Sequence, residues 1–146
     1  VSRNWVKSLW GSIKNDIPEN MRICGENMFA EHSIRYDALT SYFYVFGIYV
    51  DEVCLSWDET VEYCKLFGLE HVPVLYRGPW DEDAVKACMT GKSVFGGEQE
   101  GYVVRNVEAF SYDEFDKNCG KFVRKCHVQT DQNWMYQPVV PNGIIQ

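Results

Sequence analysis

The first half of the chain alternates an amphipathic helix with strongly apolar strands. An apolar stripe at helical spacing predicts a helix from Ser2, its N-cap, to about Asp16. The stripe consists of Trp5, Val6, Leu9, Trp10 and Ile13. Met21–Cys24 is predicted as a short strand that runs into Gly25-Glu26. Ser41–Val50 is rich in aromatic and β-branched residues and is apolar on both faces, so we expect a central strand there.

Turn and capping signals divide the second half into short helices and strands. Ser56-x-x-Glu59 is a capping box that predicts a helix to about Phe67, and Ser111-x-x-Glu114 predicts a shorter helix that ends at Cys119-Gly120. The other predicted elements are strands at Glu52–Leu55 and Val72–Tyr76, a helix at Asp81–Thr90, a strand within Glu98–Glu108, a last strand at Lys121–Val128 and a loop-like tail from Gln137. This irregular alternation suggests an α+β fold around an antiparallel sheet.

Length and composition indicate one globular domain, or a large piece of one, over residues 1–146. Apolar residues make up 46% of the chain and charged residues 24%, which excludes a disordered chain. The longest apolar stretch, Tyr42–Val50, falls short of the roughly 20 residues that span a bilayer, so we expect no membrane partner. The cysteines form no C-x-x-C pair, so we expect reduced thiols in an intracellular protein, cytoplasmic or nuclear.

The charge distribution combines an acidic chain with one basic strip. A net charge of −7 argues against a protein that coats nucleic acid through bulk electrostatics. The basic strip near the C-terminus consists of Lys117, Lys121, Arg124, Lys125 and His127. Such a run is ordinarily a solvated face of a protein, and it is also suited to a local grip on phosphates.

Three groups of residues at strand ends or within strands have the chemistry of a nucleotide site. They are Gly25-Glu26-Asn27, the pair Phe43 and Phe46, and the segment E-G-Y-V-V-R from Glu100 to Arg105. A nucleotide site on a sheet needs an aromatic face for the base, carboxylates for the ribose and the metal, and cations for the phosphates. Singly, each glutamate is more often a surface residue and each phenylalanine a core residue. Their joint occurrence in this order favours the nucleotide site.

The order of these motifs resembles motifs III, IIIa, IV and V of the covalent nucleotidyltransferase superfamily. The motifs read G-E-N-M-F-A, Y-F-Y-V-F, E-G-Y-V-V-R and K-F-V-R-K. The surrounding segments S-R-N-W-V, R-I-C-G-E-N-M-F-A-E-H-S-I, K-F-V-R-K-C-H-V-Q-T-D and Q-P-V-V-P-N-G are similar to the Deinococcus-type group of ATP-dependent RNA ligases, over nearly the whole chain. The resemblance implies an antiparallel-sheet adenylation domain with ATP and Mg²⁺ (or Mn²⁺) as cofactors and RNA ends as partners.

The resemblance also implies which residues bind the adenosine. Glu26 would bind the ribose, and Phe46 would stack on adenine, with Phe43 as the second candidate. Arg3 would contact the RNA end or the ribose. Gly47 stands where many relatives carry an aspartate after the stacking phenylalanine, so the hydrogen bonding at that position differs from theirs.

Three residues are implied at the phosphates. Glu100 would support the divalent metal during adenylyl transfer. Lys121 and Arg124 would contact the ATP phosphates, although K-F-V-R departs from the K-x-K spacing typical of motif V.

The catalytic lysine of such enzymes stands in a K-x-D-G motif upstream of motif III, and no K-x-D-G occurs in this sequence. Lys14-Asn15-Asp16-Ile17 lacks the glycine and is predicted as helix surface. We therefore expect an N-terminally incomplete adenylation domain, inactive in adenylylation by itself, whose lysine is supplied by an upstream segment or a second chain. The implied function is RNA end joining through lysyl-AMP and RNA-adenylate. The alternatives are a non-catalytic nucleotide- or RNA-binding module and a sister enzyme such as a DNA ligase or a capping guanylyltransferase.

Overall fold

The computed structural model describes residues 3–30, 36–123 and 142–144. The helices are α1 (Asn4–Ile13), α2 (Trp57–Phe67), α3 (Glu82–Ala87) and α4 (Phe115–Asn118), with 3₁₀ turns at Lys14–Asp16 and Tyr112–Glu114. The strands are β1 (Met21–Asn27), β2 (Phe43–Val50), β3 (Val53–Cys54), β4 (Glu70–His71), β5 (Gly101–Arg105), β6 (Phe110–Ser111) and β7 (Cys119–Val123).

Strand β2 is the centre of the main sheet, as its apolar sequence predicts. The strand order is β1-β2-β3-β6, and β4 also pairs with β2. All of these pairs are antiparallel except β2 with β4. Strands β5 and β7 form a second, two-stranded antiparallel sheet. The predicted α+β class is confirmed, and one parallel pair is added to the expected antiparallel sheet.

The two faces of β2 are covered in different ways. Val45 and Ile48 belong to the main core, against which residues of α1 and α2 pack. We call this the helix face. On the opposite face, Tyr44 packs in a cluster with Tyr36 and Leu39, while Tyr49 packs in a separate one with Cys54 and Phe110. We call this the open face, because none of the described helices contributes a residue to these two clusters.

Helix α2 begins and ends at the residues that its sequence indicates. The Ser56 hydroxyl accepts a hydrogen bond from the backbone N–H of Glu59 at 3.2 Å and donates one to the Glu59 carboxylate at 3.1 Å. Gly68 closes the helix in the left-handed conformation (φ 69°), which glycine adopts without steric cost. The capping-box prediction is therefore confirmed. The short helix predicted after Ser111 also forms, as the 3₁₀ turn Tyr112–Glu114 followed by α4, although the Ser111 side chain makes no capping hydrogen bond.

The predicted strand at Val72–Tyr76 is wrong. Only Glu70–His71 pairs with β2, because Pro73 has no N–H to continue the ladder. Between Pro73 and the start of α3, the chain forms no helix or strand, and Val74, Leu75 and Tyr76 are exposed. A bidentate ion pair between Arg77 and Asp58, with distances of 2.6 and 3.1 Å, holds this segment to α2.

Several other predicted boundaries shift. The helix expected at Asp81–Thr90 is limited to Glu82–Ala87, with Asp81 as its N-cap. The first helix has Arg3 at the N-cap position, without a side-chain capping bond, and Trp10 of its predicted stripe is 52% exposed. The last strand is described as Cys119–Val123, and its predicted continuation to Val128 lies outside the described residues, as does Ser2.

Part of the tail that was predicted as a loop is tied into the fold. Asn142 is 4% exposed, and its amide donates hydrogen bonds to the carbonyl oxygens of Met28 and Ala30 while its oxygen accepts one from the Tyr36 N–H at 2.9 Å. The Tyr42 hydroxyl donates to the Asn142 carbonyl at 2.6 Å. Asn142 therefore clamps the segment that follows β1.

Over the described ranges, the search for a helix long and apolar enough to cross a membrane found none.

Candidate nucleotide site

A β-bulge separates Phe46 from the hydrogen-bonded ladder of the main sheet. Cys24 pairs with Gly47 and Gly25 pairs with Val45, so Phe46 has no partner on β1. In such a bulge the extra residue is turned out of the regular alternation. Phe46 is accordingly 48% exposed in the middle of an otherwise buried strand. The bulge thus coincides with an aromatic ring that is exposed to solvent.

Glu26 lies on the same face of the sheet as Phe46. Glu26 is opposite Tyr44 in the register, and Tyr44 packs in a cluster on the open face. Phe46 follows Val45, whose side chain belongs to the core on the helix face. Val45 and Ile48 both point to the helix face, so the two bulge residues between them, Phe46 and Gly47, are left on the open face with Tyr44 and Glu26. A carboxylate and an exposed aromatic ring thus lie on the same face of two neighbouring strands.

Phe43 occupies a different environment from Phe46. Its ring packs against the main core on the helix face. A Cβ built on Gly25 would stand 2.6 Å from Cζ of Phe43, so glycine is needed for this packing. Gly47 has more room, because a Cβ there would meet only Tyr49, at 3.7 Å. Of the two phenylalanines, only Phe46 has its ring available on the open face.

The segment that carries Glu100 is anchored at two points on the open face. Phe95, in the loop before Glu100, packs on Tyr44 with ring centroids 4.6 Å apart. Arg105, at the end of β5, donates from Nη2 to the carbonyl oxygen of Leu55 at 3.0 Å and from Nη1 to Sγ of Cys54 at 3.7 Å. These anchors place the Glu100 segment on the same side of the main sheet as Glu26 and Phe46.

Arg105, the last residue of the E-G-Y-V-V-R segment, was given no role of its own from the sequence and is a structural residue. Its guanidinium lies 5.7 Å from the ring centroid of Trp57 and 5.2 Å from that of Phe110, in addition to its bonds to β3 and the residue after it. Such contacts hold a planar guanidinium in one position. The side chain joins the two-stranded sheet to the main sheet. A basic residue at the end of an apolar strand was the only sequence signal for it.

Lys121 lies on β7 opposite Val103 of β5, and both residues are exposed. On the other face of this ribbon, the rings of Tyr102 and Phe122 stack with centroids 5.2 Å apart. Lys121 therefore projects from the strand next to β5, the strand that directly follows Glu100. Arg124, its predicted companion at the phosphates, lies outside the described residues.

Arg3 is exposed at the start of α1, where its carbonyl oxygen accepts a hydrogen bond from the Lys7 N–H at 2.9 Å. A shallow cleft of about 540 Å³ lies between α1 and the segment after β1. Its lining consists of Asn4, Trp5, Ser8, Leu9 and Phe29. Of the predicted nucleotide-binding residues that the structure describes, none lines this cleft.

Two thiols near the open face, those of Cys24 and Cys119, are partly buried. Burial is the main cause that raises the pKa of the Cys24 and Cys119 thiols above its ordinary value. Burial, followed by the neighbouring Cys54, raises the pKa of Tyr49 to about 12. The five described cysteines are free.

The donor set for a metal is small. Among the described residues, no three histidine, cysteine or acidic side chains converge as a metal site would require. Mg²⁺ commonly binds one or two carboxylates and completes its shell with water and substrate phosphates. A single carboxylate is enough for that kind of site, in which the nucleotide brings most of the ligands.

Comparison with known proteins supports one family assignment. No curated protein and no solved structure matches the chain. The family model described as RNA ligase matches residues 1–125, which is most of the 146-residue sequence. The chain therefore belongs to the RNA ligase family.

Proposed function

We propose that this chain is the ATP-binding part of an ATP-dependent RNA ligase that joins a 5′-phosphate to a 3′-hydroxyl. The observation that carries the proposal is the placement of Glu26 and Phe46 on the open face of β1 and β2. An exposed ring beside a carboxylate suits adenosine, because the ring stacks on the base and the carboxylate accepts hydrogen bonds from the ribose hydroxyls. Arg3, at the start of α1, is assigned to the RNA end or the ribose.

The phosphate end of the site is assigned to the two-stranded sheet. Glu100 directly precedes β5, and Lys121 lies on β7, the strand that pairs with β5. The same two-stranded sheet therefore carries the cation and is preceded by the carboxylate. Arg124, next along the chain, is the second proposed cation. Lys121 and Arg124 stabilise the negative charge that develops on the phosphate oxygens. A Mg²⁺ or Mn²⁺ ion held by Glu100 would supply further charge neutralisation at the α-phosphate.

The proposed reaction has three phosphoryl-transfer steps. A lysine amine attacks the α-phosphorus of ATP, a P–N bond forms, and pyrophosphate leaves. An oxygen of the RNA 5′-phosphate then attacks that phosphorus, which releases the lysine and gives the RNA-adenylate. Finally the 3′-hydroxyl attacks the 5′-phosphate, a phosphodiester forms, and AMP leaves. The 146 residues contain no K-x-D-G motif, so the proposal assigns the lysine to an upstream segment or a second chain.

A second candidate function follows from the same missing motif. If no lysine is supplied from elsewhere, the chain is a nucleotide- or RNA-binding module without covalent chemistry. Incubation with α-labelled ATP and Mg²⁺ distinguishes the two for any form of the protein that contains a K-x-D-G segment. Label that stays on that lysine through denaturing gel electrophoresis and is released by acid, as the P–N bond requires, supports the ligase, and binding without label supports the module. The free thiols support an intracellular compartment for either function.

The two phenylalanines of β2 provide a matched test of the adenosine site. Phe46→Leu removes an exposed ring, whereas Phe43→Leu removes a ring that packs on the core. Base stacking contributes about 1–3 kcal/mol, so Phe46→Leu should weaken ATP binding roughly ten- to hundredfold in calorimetric titrations. Phe43→Leu should instead lower the free energy of unfolding and leave the ATP affinity of the folded protein near that of the wild type. The reverse pattern would remove Phe46 from the proposed site.

A further inference from the structure

Gln99, the residue before Glu100, is a buried polar side chain with well-defined hydrogen-bond partners. It is 7% exposed. Its Oε1 accepts hydrogen bonds from the backbone N–H groups of Thr90 at 2.9 Å and Gly91 at 3.2 Å, and its Nε2 donates to the carbonyl oxygen of Cys88 at 3.1 Å. The backbone N–H of Gln99 also donates to the carbonyl oxygen of Gly91, at 3.1 Å. The amide thus clamps its own backbone to the segment that follows α3.

The other side of Glu100 is held by Gly101. Gly101 pairs with Val123 at the start of β5, and a Cβ built on Gly101 would overlap the carbonyl oxygen of Phe122. Strand β7 therefore approaches the Gly101 backbone more closely than any other residue type allows. Between this contact and the Gln99 clamp, the backbone of Glu100 is fixed on both sides.

We propose that Gln99 is the positioning residue for Glu100, and that its amide holds the Glu100 carboxylate where a divalent cation bound to ATP can reach it. This inference rests on the proposed function, since it assumes that Glu100 is the carboxylate at the metal. When the protein supplies only one carboxylate to a metal ion, no other protein ligand can compensate if that carboxylate is misplaced. The orientation of that carboxylate therefore depends on the backbone that carries it.

The chemistry of the clamp requires an amide and not merely a side chain of similar size. Gln99 accepts from two N–H groups and donates to one carbonyl, so it satisfies three backbone groups at once. Methionine has a similar length but leaves these groups unpaired in a buried site. Glutamate keeps the two accepted bonds and loses the donated one to Cys88, at the cost of burying a charge.

The test separates metal-dependent from metal-independent binding of ATP. Calorimetry on the full 146-residue chain gives the affinity for ATP with Mn²⁺ and with EDTA, and the ratio of the two is the metal gain. Losing a partner that orients a metal ligand typically costs about 10- to 100-fold in metal affinity, so Gln99→Met should reduce the metal gain by a factor in that range. Glu100→Gln should reduce it at least as much, and Gln99→Glu should fall between wild type and Gln99→Met.

Thr60→Val is the matched control. It removes another buried side-chain hydrogen bond, from Thr60 Oγ1 to the Ser56 carbonyl at 2.9 Å, within α2, which makes no hydrogen bond to the Gln99 side chain. The proposal predicts a metal gain like that of the wild type for this variant. If Gln99→Met does not fold, Gln99→Glu decides the question by the same ratio.

The outcomes distinguish this inference from the proposed function. No metal gain in the wild type, or an unchanged gain in Glu100→Gln, would overturn the assignment of Glu100 itself and this inference with it. A gain that Glu100→Gln loses and the Gln99 variants keep would overturn only the positioning role. A loss of ATP affinity in the Gln99 variants that is equally large with EDTA would also overturn the positioning role, and so would a reduced metal gain in Thr60→Val. In either case Gln99 would act through general stability.

Discussion

Arg105 donates a hydrogen bond from Nη2 to the carbonyl oxygen of Leu55, at 3.0 Å, and thereby ties the strand after Glu100 to the loop before α2. The guanidinium also lies over the rings of Trp57 and Phe110. Because Phe95 anchors the same segment at its other end, the two contacts determine how the small sheet sits on the open face.

Removing the Arg105 side chain should destabilise the fold. Hydrogen bonds to charged groups contribute about 1.5–3 kcal/mol, so Arg105→Ala should lower the free energy of unfolding in urea by about that amount. Arg77→Ala, which breaks an exposed ion pair with Asp58, is the control and should have a small effect. If the two variants lose the same stability, Arg105 does not join the sheets as described.

Gly25→Ala should destabilise the main sheet through overpacking. The new methyl group would stand 2.6 Å from both Cζ of Phe43 and the Tyr44 carbonyl oxygen, and the latter is a backbone atom that cannot move aside by a side-chain rotation. Overpacking a core costs about 1–3 kcal/mol, which thermal denaturation would detect. Gly11→Ala is the control, since nothing lies within 4 Å of its Cβ position in α1. That change should stabilise the protein by about 0.5–1 kcal/mol. Unchanged stability of Gly25→Ala would contradict the packing described for Phe43.

The parts of the fold that the sequence predicts well are those with local causes. Helix α2 carries its own cap, and β2 has too many apolar residues to occupy anything but a central strand. The bulge at Phe46 could not be predicted, because it depends on the register between β1 and β2. The prediction of a strand at Val72–Tyr76 was wrong for a related reason, because an apolar sequence does not show whether a neighbouring strand is available for pairing.

The candidate site was predicted by residue type and only in part by position. Glu26 and Glu100 are distant in sequence, and tertiary contacts of Arg105 and Phe95 bring their segments to one face. The buried amide of Gln99 gave no signal, because a glutamine in a polar stretch ordinarily lies on the surface. Asn142 was overlooked for the same reason.

Lys121 should contribute to binding phosphates, and Lys117 should not. Both side chains are exposed, but Lys121 is on β7 opposite β5, whereas Lys117 is on α4. Because Lys121 would make a charged contact with the ATP phosphates, we expect Lys121→Ala to lower the ATP affinity about 10- to 100-fold. Adenosine affinity should be unchanged in the same titrations. Equal and mild effects of Lys117→Ala and Lys121→Ala would indicate a general RNA-attracting surface. Arg124→Gln is expected to resemble Lys121→Ala, and Arg124→Lys to keep part of the affinity.

Tyr49 should make stability depend on pH in the alkaline range. Burial is the first cause that raises its pKa to about 12, above the ordinary value of 10. The folded protein then holds this proton more tightly than the unfolded chain. The free energy of unfolding should therefore be at its full value below about pH 10 and fall as the pH rises toward about 12. Tyr49→Phe should reduce this slope in denaturant titrations across that range, and an unchanged slope would contradict it.

The central claim is that Glu26 binds the ribose hydroxyls of ATP on the face where Phe46 stacks on the base. The most direct test is a calorimetric cycle of four affinities: wild type and Glu26→Gln, each with ATP and with 2′,3′-dideoxy-ATP. The account predicts that either change alone weakens binding about tenfold and that the second change adds little to the first, because both remove the same contact. Losses that simply multiply would show that Glu26 and the ribose hydroxyls do not interact, and would contradict the proposed adenosine site.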